Sequence, residues 1–209
     1  MKNIMKRAVL LTLALALALG LTACGASKPD MPMEATFDGH TVALGKTTTA
    51  EMAGWGWNLE FTGTQSEIRE DAKYVACYYT VEKNDGRSGD VFWVSVWVPF
   101  QKNFQGSRGV DFSEEEKMSR TEGVVCRIEM RKDASENFDI TYNGKNYQDL
   151  TWADAEEWGA EKDEDAYPTT YNMSVAQGSL KFEKGYTSED EPGKFTISMN
   201  TGAFSKLQK

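Results

Sequence analysis

The stretch VFWVSVWVPF, residues 91–100, decides the architecture. Valine and tryptophan occupy both alternating faces: Val94 and Val96 fall on one side, Trp93 and Trp97 on the other. β-branched and aromatic residues in a short run bounded by turn residues specify a strand, and one that is apolar on both faces specifies a central strand covered on each side. Pro99 has no N–H to give to a neighbour and ends the ladder. The fold is therefore expected to be built around an antiparallel sheet.

Working outward, KYVACYYTVE (residues 73–82) sets Val75, Cys77, Tyr79 and Val81 on one face, and GVVCRIEMR (123–131) alternates Val124, Cys126, Ile128 and Met130 with Val125, Arg127, Glu129 and Arg131. The intervening EKNDGRSGD (82–90) holds residues that tolerate positive φ, so the first two strands are expected to form a hairpin with a loop longer than the minimal turn. Further strands are expected at 169–175, 178–184 and 194–200. Helices are few: TTTAEMAG (47–54) and TWADAEEW (151–158), the latter followed by Gly159. The two helical stretches also lie in similar surroundings. FDGHTVALGKTTTAEMAGWGW (37–57) can be laid over TYNGKNYQDLTWADAEEWGAE (141–161) so that Gly39 meets Gly144 and, after a two-residue gap, Ala50 meets Ala153, Glu51 meets Asp154, Trp55 meets Trp158 and Gly56 meets Gly159. The fold class expected is α+β, an antiparallel sheet with one short helix per unit in two tandem repeats.

The N-terminus carries a different signal. Lys2, Lys6 and Arg7 precede the apolar run 8–19, and no acid occurs in the first 23 residues. That is the charge pattern of a secretory leader, and the run is shorter than the roughly 20 residues that a bilayer-spanning helix needs. Leu21, Thr22, Ala23 and Cys24 resemble the lipobox of bacterial lipoproteins, which implies diacylation of Cys24 and cleavage before it. Removal of 23 residues takes three basic groups away and leaves 20 basic and 32 acidic residues, a balance of −12. Such a chain lacks the counterion-release term that drives nucleic-acid binding. Its expected membrane link is the lipid on Cys24, at the extracytoplasmic face of the cell membrane. The divisions expected are a signal peptide (1–23), a lipidated tether (24–35), a first unit (36–135) and a second (136–209), the two units able to share one core.

A further resemblance concerns the second half. Tyr171, Gly178, Leu180, Phe182, Phe195 and Ile197 follow the ending of the repeat in β-lactamase inhibitory protein-like domains, a helix followed by an antiparallel sheet. The first half, with Asp38-Gly39, Leu44-Gly45 and Thr47-Thr48 ahead of a helix and Gly56-Trp57 after it, looks like surface lipoproteins of Gram-positive bacteria. Together these cover about two thirds of the chain. They imply binding or assembly roles, and no catalytic residue carries over.

The chemistry that remains is sparse. The chain has one histidine, His40, expected in a surface turn; a multi-His zinc site is excluded, and no Gly-x-Ser-x-Gly, Ser-x-x-Lys or His-Glu-x-x-His occurs. Residues 154–165 hold seven acids and one lysine, read as a solvated face in preference to a calcium site because the EF-hand glycine and terminal glutamate are missing. Cys77 and Cys126 form an even pair outside the reducing cytoplasm, open to a disulfide or to burial as free thiols. Trp93, Trp97, Trp55 and Trp57, with Tyr78, offer flat apolar rings that suit a sugar face or a partner, with core packing as the competing use. The expectation is a non-catalytic binding or interaction module on the membrane, without cofactor or metal, meeting a protein or a glycan through a sheet face. The alternatives are an envelope structural or assembly factor and a hydrolase using paired carboxylates.

Overall fold

Twelve strands form two sheets in a computed structural model that describes residues 28–64, 74–83, 91–99, 123–136, 138–185 and 191–207. The larger sheet has eight strands in the order β3-β4-β5-β6-β12-β11-β10-β9, and every pairing in it is antiparallel. Its members are β3 (Trp57–Thr64), β4 (Tyr74–Lys83), β5 (Val91–Pro99), β6 (Val124–Arg131), β9 (Glu161–Asp163), β10 (Thr170–Val175), β11 (Gly178–Lys184) and β12 (Pro192–Met199). The smaller sheet, β2-β1-β7-β8, comprises β1 (Glu34–Phe37), β2 (His40–Ala43), β7 (Ile140–Tyr142) and β8 (Lys145–Asn146). The strand read from residues 91–100 is thus internal, between β4 and β6, but it is not covered on both sides as expected: Trp93 stays half-buried on a face where Tyr78 is 37% exposed. The sequence-expected antiparallel sheet with few short helices is observed.

One face of the large sheet carries the small sheet. Phe37 of β1 stacks on Phe92 of β5 at 4.0 Å, Trp57 and Phe138 meet Phe92 edge-on, and Tyr142 of β7 lies against Phe195 of β12, which stacks on Phe182 at 4.5 Å. Val75, Cys77, Tyr79 and Val81 share this buried face, as their alternation requires, with Phe92, Val94 and Val96 beside them. The buried cluster is continuous from Met33 to Phe204, so both units contribute to one core.

The turns and caps repay close attention to residue type. Asp38-Gly39 and Asn143-Gly144 close the β1–β2 and β7–β8 hairpins, all four with positive φ (50°, 81°, 48°, 78°), a conformation that Asn, Asp and Gly adopt at least cost. Helix α1 (Thr49–Gly54) starts at a capping box in which Thr48 and Glu51 each bind the other's backbone N–H, and α2 (Trp152–Glu157) does the same with Thr151 and Asp154. Each runs into a tryptophan, Trp55 or Trp158, then a glycine at φ 88° or 93°.

Three readings of the sequence need correction. First, β6 does not alternate evenly: β5 pairs Ser95 with Arg127 but Val96 with Val125, so Cys126 is the extra residue of a β-bulge and Val125, not Val124, enters the core. The bulge lets β6 change partners. Residues 127–131 pair with β12, whereas Val125 bonds the loop before α1, its N–H to Thr47 O (2.9 Å) and its carbonyl to Gly45 N (2.7 Å). Second, residues 29–35 are not a free tether. Ala176 N donates to Pro29 O, Tyr142 Oη to Pro32 O and Leu44 N to Met33 O, and Met33 and Ala35 are buried. Third, a C-terminal helix absent from the expectations, α3 (Thr201–Leu207), sets Phe204 against Trp97 and Tyr74 at 4.6 and 4.9 Å. The expected leader and Cys24, within residues 1–27, and the expected hairpin loop at 84–90 lie outside the described residues.

Two substitutions probe this architecture. Val96→Asp places an unpaired carboxylate at a fully buried position and should abolish cooperative unfolding, whereas Val96→Ala should leave a folded protein less stable by about 1–3 kcal/mol. Gly178→Ala would drive a Cβ into the Ser198 carbonyl oxygen of β12, and chemical denaturation should show a loss of about 1–3 kcal/mol. A parent-like midpoint for Val96→Asp would remove β5 from the core.

Candidate functional site

The second face of the large sheet is the candidate site. Register alone defines it: Thr80 lies opposite Trp93 and Trp93 opposite Glu129, Tyr78 opposite Ser95 and Ser95 opposite Arg127, Ala76 opposite Trp97. Side chains directly across an antiparallel pair share a face, so β4, β5 and β6 present Tyr78, Trp93, Arg127 and Glu129 together. Tyr78 is 37% exposed, one of three large apolar residues among the described set to be so open.

The four candidate tryptophans separate. Trp57 is 7% exposed and sits edge-on to Phe37 and Phe92, on the core side. Trp55 stacks on His40 at 4.8 Å with 11° between the planes and meets Trp57 edge-on. His40 is accordingly the first residue of β2, half-buried against an indole and not a surface turn residue; the turn is Asp38-Gly39. Trp97 lies on the second face, but Phe204 of α3 covers it. Trp93 alone keeps a place on the open part of that face, half-buried, with the Arg131 guanidinium 5.4 Å from its ring centroid.

Beside Trp93 runs a chain of alternating charge that crosses three strands. Arg127 binds Glu129 (2.6 Å), Lys194 of β12 reaches both Glu129 (3.3 Å) and Glu183 of β11 (3.1 Å), and Lys181 completes it on Glu183 (2.9 Å). Burial acts to raise the Glu183 carboxyl, but hydrogen bonds from Lys181 and Lys194 outweigh it and hold the group below its ordinary range. Arg131 forks onto Asp133 (2.9 and 3.2 Å). Glu129, Arg131, Asp133, Glu183 and Lys194, with the fully exposed Tyr167, wall a groove of about 580 Å³ where β6, β11 and β12 meet the 167–168 loop. The odd positions of β6 were legible as a polar face; their partners on β11 and β12 were not, because strand order is not written in any one strand.

Other candidate chemistry resolves into structure. In the acidic stretch Asp154 serves as the third residue of α2, bound by Lys145 and by Thr151; the Lys145 ammonium, against the opposing effect of burial, holds its carboxyl low. Glu161 and Asp163 are exposed on β9, and among the described residues no three His, Cys, Asp or Glu side chains are grouped to hold a metal. Among the described residues the displaced carboxylates, Asp154 and Glu183, move down, opposite to the direction a general acid needs. Cys77 and Cys126 are buried thiols that form no disulfide with each other. They stand on β4 and β6 with β5 between, and two strand spacings, about 9.5 Å, exceed the reach of a disulfide. Cys126 instead donates to Ser95 O at 3.2 Å.

Burial pushes the Cys126 thiol up from 9.0 to about 12, against a smaller opposing effect of Arg127, and burial raises Tyr142 and Tyr147 as well. All three are neutral acids with raised values, so their contribution to stability is complete below the unfolded value and is lost as pH rises. Stability should accordingly fall from about pH 9 upward, and Cys126→Ala should reduce the steepness of that fall. Neither Cys77 nor Cys126 should react with an alkylating reagent at pH 8 without denaturant; prompt labelling mapped to Cys126 in the native state would contradict the buried bulge. The chain matches no protein-family model, no curated protein and no solved structure.

Proposed function

We propose that this chain is a lipoprotein held by lipid on Cys24 at the extracytoplasmic face of the cell membrane, and that its folded part is a non-catalytic module that binds a protein partner through the open face of the eight-stranded sheet. The observation that carries the binding reading is the composition of that face: Tyr78, Trp93 and Tyr167 beside Arg127, Arg131 and Lys194. Tyrosine, tryptophan and arginine are the residues from which binding hot spots are built, since each buries much area and carries a polar tip. A protein is favoured over a glycan because Arg131 already caps the Trp93 ring that a sugar would stack upon.

We also infer that the two halves are copies of one unit. Both run strand, strand, helix and four strands, with matching turns and caps. The offset that carries Gly39 onto Gly144 also carries Thr36 onto Thr141, and those two threonines are register partners in the β1–β7 pair, as a twofold relation between copies requires. A superposition of α1 on α2 in an experimental structure that failed to carry β1 onto β7 would remove this inference.

Two measurements test the function. A photo-crosslinking residue at Tyr78, in cells, should trap a discrete protein adduct, and one at Gln148, on the 3₁₀ turn before α2, should not; equal adducts from both, or none from Tyr78, would count against the open face. Trp93→Ala should abolish the Tyr78 adduct while costing about 1–2 kcal/mol of stability, below the 3–5 kcal/mol of a core tryptophan. The anchor is read by mass spectrometry of the mature N-terminus, which should begin at a diacylated Cys24. An unmodified end at any other residue would overturn it.

A further inference from the structure

The length of chain between Cys24 and the first fastened residue is short, and it leads to one particular end of the fold. Ala176 N holds Pro29 O at 3.3 Å, and from there Pro32 and Met33 are bound by Tyr142 and Leu44 while Met31 packs on the core. Five residue steps separate Cys24 from Pro29, at most about 18 Å fully extended. The surface around Pro29 is therefore tied close to whatever Cys24 is attached to. On one side lie the β10–β11 turn (Ala176, Gln177), the loop after β2 and helix α3, which together with Met31 border a groove of about 450 Å³, and on the other, against Pro29 itself, lie Glu161, Lys162 and Asp163 of β9.

Its charge is balanced: Lys28, Lys46, Lys162 and Lys206 are exposed there with Asp30, Glu34, Glu161 and Asp163, and Leu207 is 46% exposed, while the mature chain as a whole is strongly acidic. An acidic headgroup layer repels such a surface less than it repels the chain as a whole. The same end is where β5, β10 and β12 finish and β6 and β11 begin, so the strands run away from it.

Resting on the reading that Cys24 carries lipid, we propose that this end of the fold sits on the lipid headgroups, with the large sheet standing on the membrane and its open face turned sideways. The opposite end, where Tyr167 and Arg131 border the second groove, lies one strand length away, about 30 Å for the nine residues of β5. The anchor then does more than retain the protein: through a link too short to let the fold tumble, it sets the height and direction in which the binding face is offered.

The test uses the full-length lipidated chain in vesicles of phosphatidylethanolamine and phosphatidylglycerol that carry an acceptor dye on a fraction of the headgroups. A donor is attached at Lys206→Cys or, in a separate protein, at Tyr167→Cys; Cys77 and Cys126 are buried and stay unlabelled. Energy transfer should be at least about threefold greater from position 206 than from 167, given the strand-length difference in height. Insertion of 20 Gly/Ser residues after Ser27, a link reaching about 25 Å, should bring that ratio towards one. Equal or reversed transfer in the parent overturns the orientation while leaving the anchor intact. A chain that fails to float with the vesicles overturns the anchor reading and this proposal with it. Concentration-dependent self-quenching at position 206 would show a second copy seated on this end, and would also overturn it.

Discussion

The antiparallel pairing of β6 with β12 is the constraint on which the rest of the structure depends. Ile128 lies opposite Ile197 and Met130 opposite Phe195, all fully buried, so the seam carries both the hydrogen-bond ladder between the halves and the middle of the core. Without it each half would be a four-stranded sheet with a long hydrophobic edge, which templates aggregation. The fold guards the seam with polar groups placed at its end. The buried Tyr147 hydroxyl donates towards Met130 O and Gly193 O, one carbonyl on each side, and Lys132, buried nearby, reaches Leu150 O and Glu191.

Because that seam also aligns the outer face, core packing and the charge pattern of that face are linked. Glu129 and Lys194 meet only because their strands do, and Lys194 in turn brings Glu183 of β11 into the same network. An isolated surface ion pair contributes little, but a network across three strands shares the entropic cost of ordering and fixes the polarity pattern that a partner would meet. The bulge at Cys126 has a related consequence: by releasing the start of β6 from β12, it lets the loop before α1 continue the ladder and joins the two sheets through the backbone.

What could be read from the chain follows from the length of each signal. β4, β5, β11 and β12 carry seven to ten residues of alternation, and both helices announce themselves by Thr-x-x-Glu or Thr-x-x-Asp before a Trp-Gly end. β2, β7, β8 and β9 span two to four residues, too few for a period to show. α3 buries Phe204 alone and so has no apolar stripe. The bulge was invisible because Val124, Val125 and Cys126 are all apolar, so no polar residue marks where the alternation slips. For the tryptophans, identity says that a ring will be covered or will bind, and only tertiary neighbours decide: His40 for Trp55, Phe204 for Trp97 and the Arg131 guanidinium for Trp93.

The fastening of residues 29–33 also bears on the order in which the molecule can assemble. Its partners include Tyr142 and Ala176, and α3 brings Leu207 against Gly45 across the same end. The first segment of the folded part to be made is thus held by segments made near the last, and a chain delivered from its N-terminus cannot close this end until almost all of it has arrived. Contacts of such long sequence separation form late and slowly. Until then residues 29–33 lack the partners that fasten them, so the order in which this end closes follows from topology.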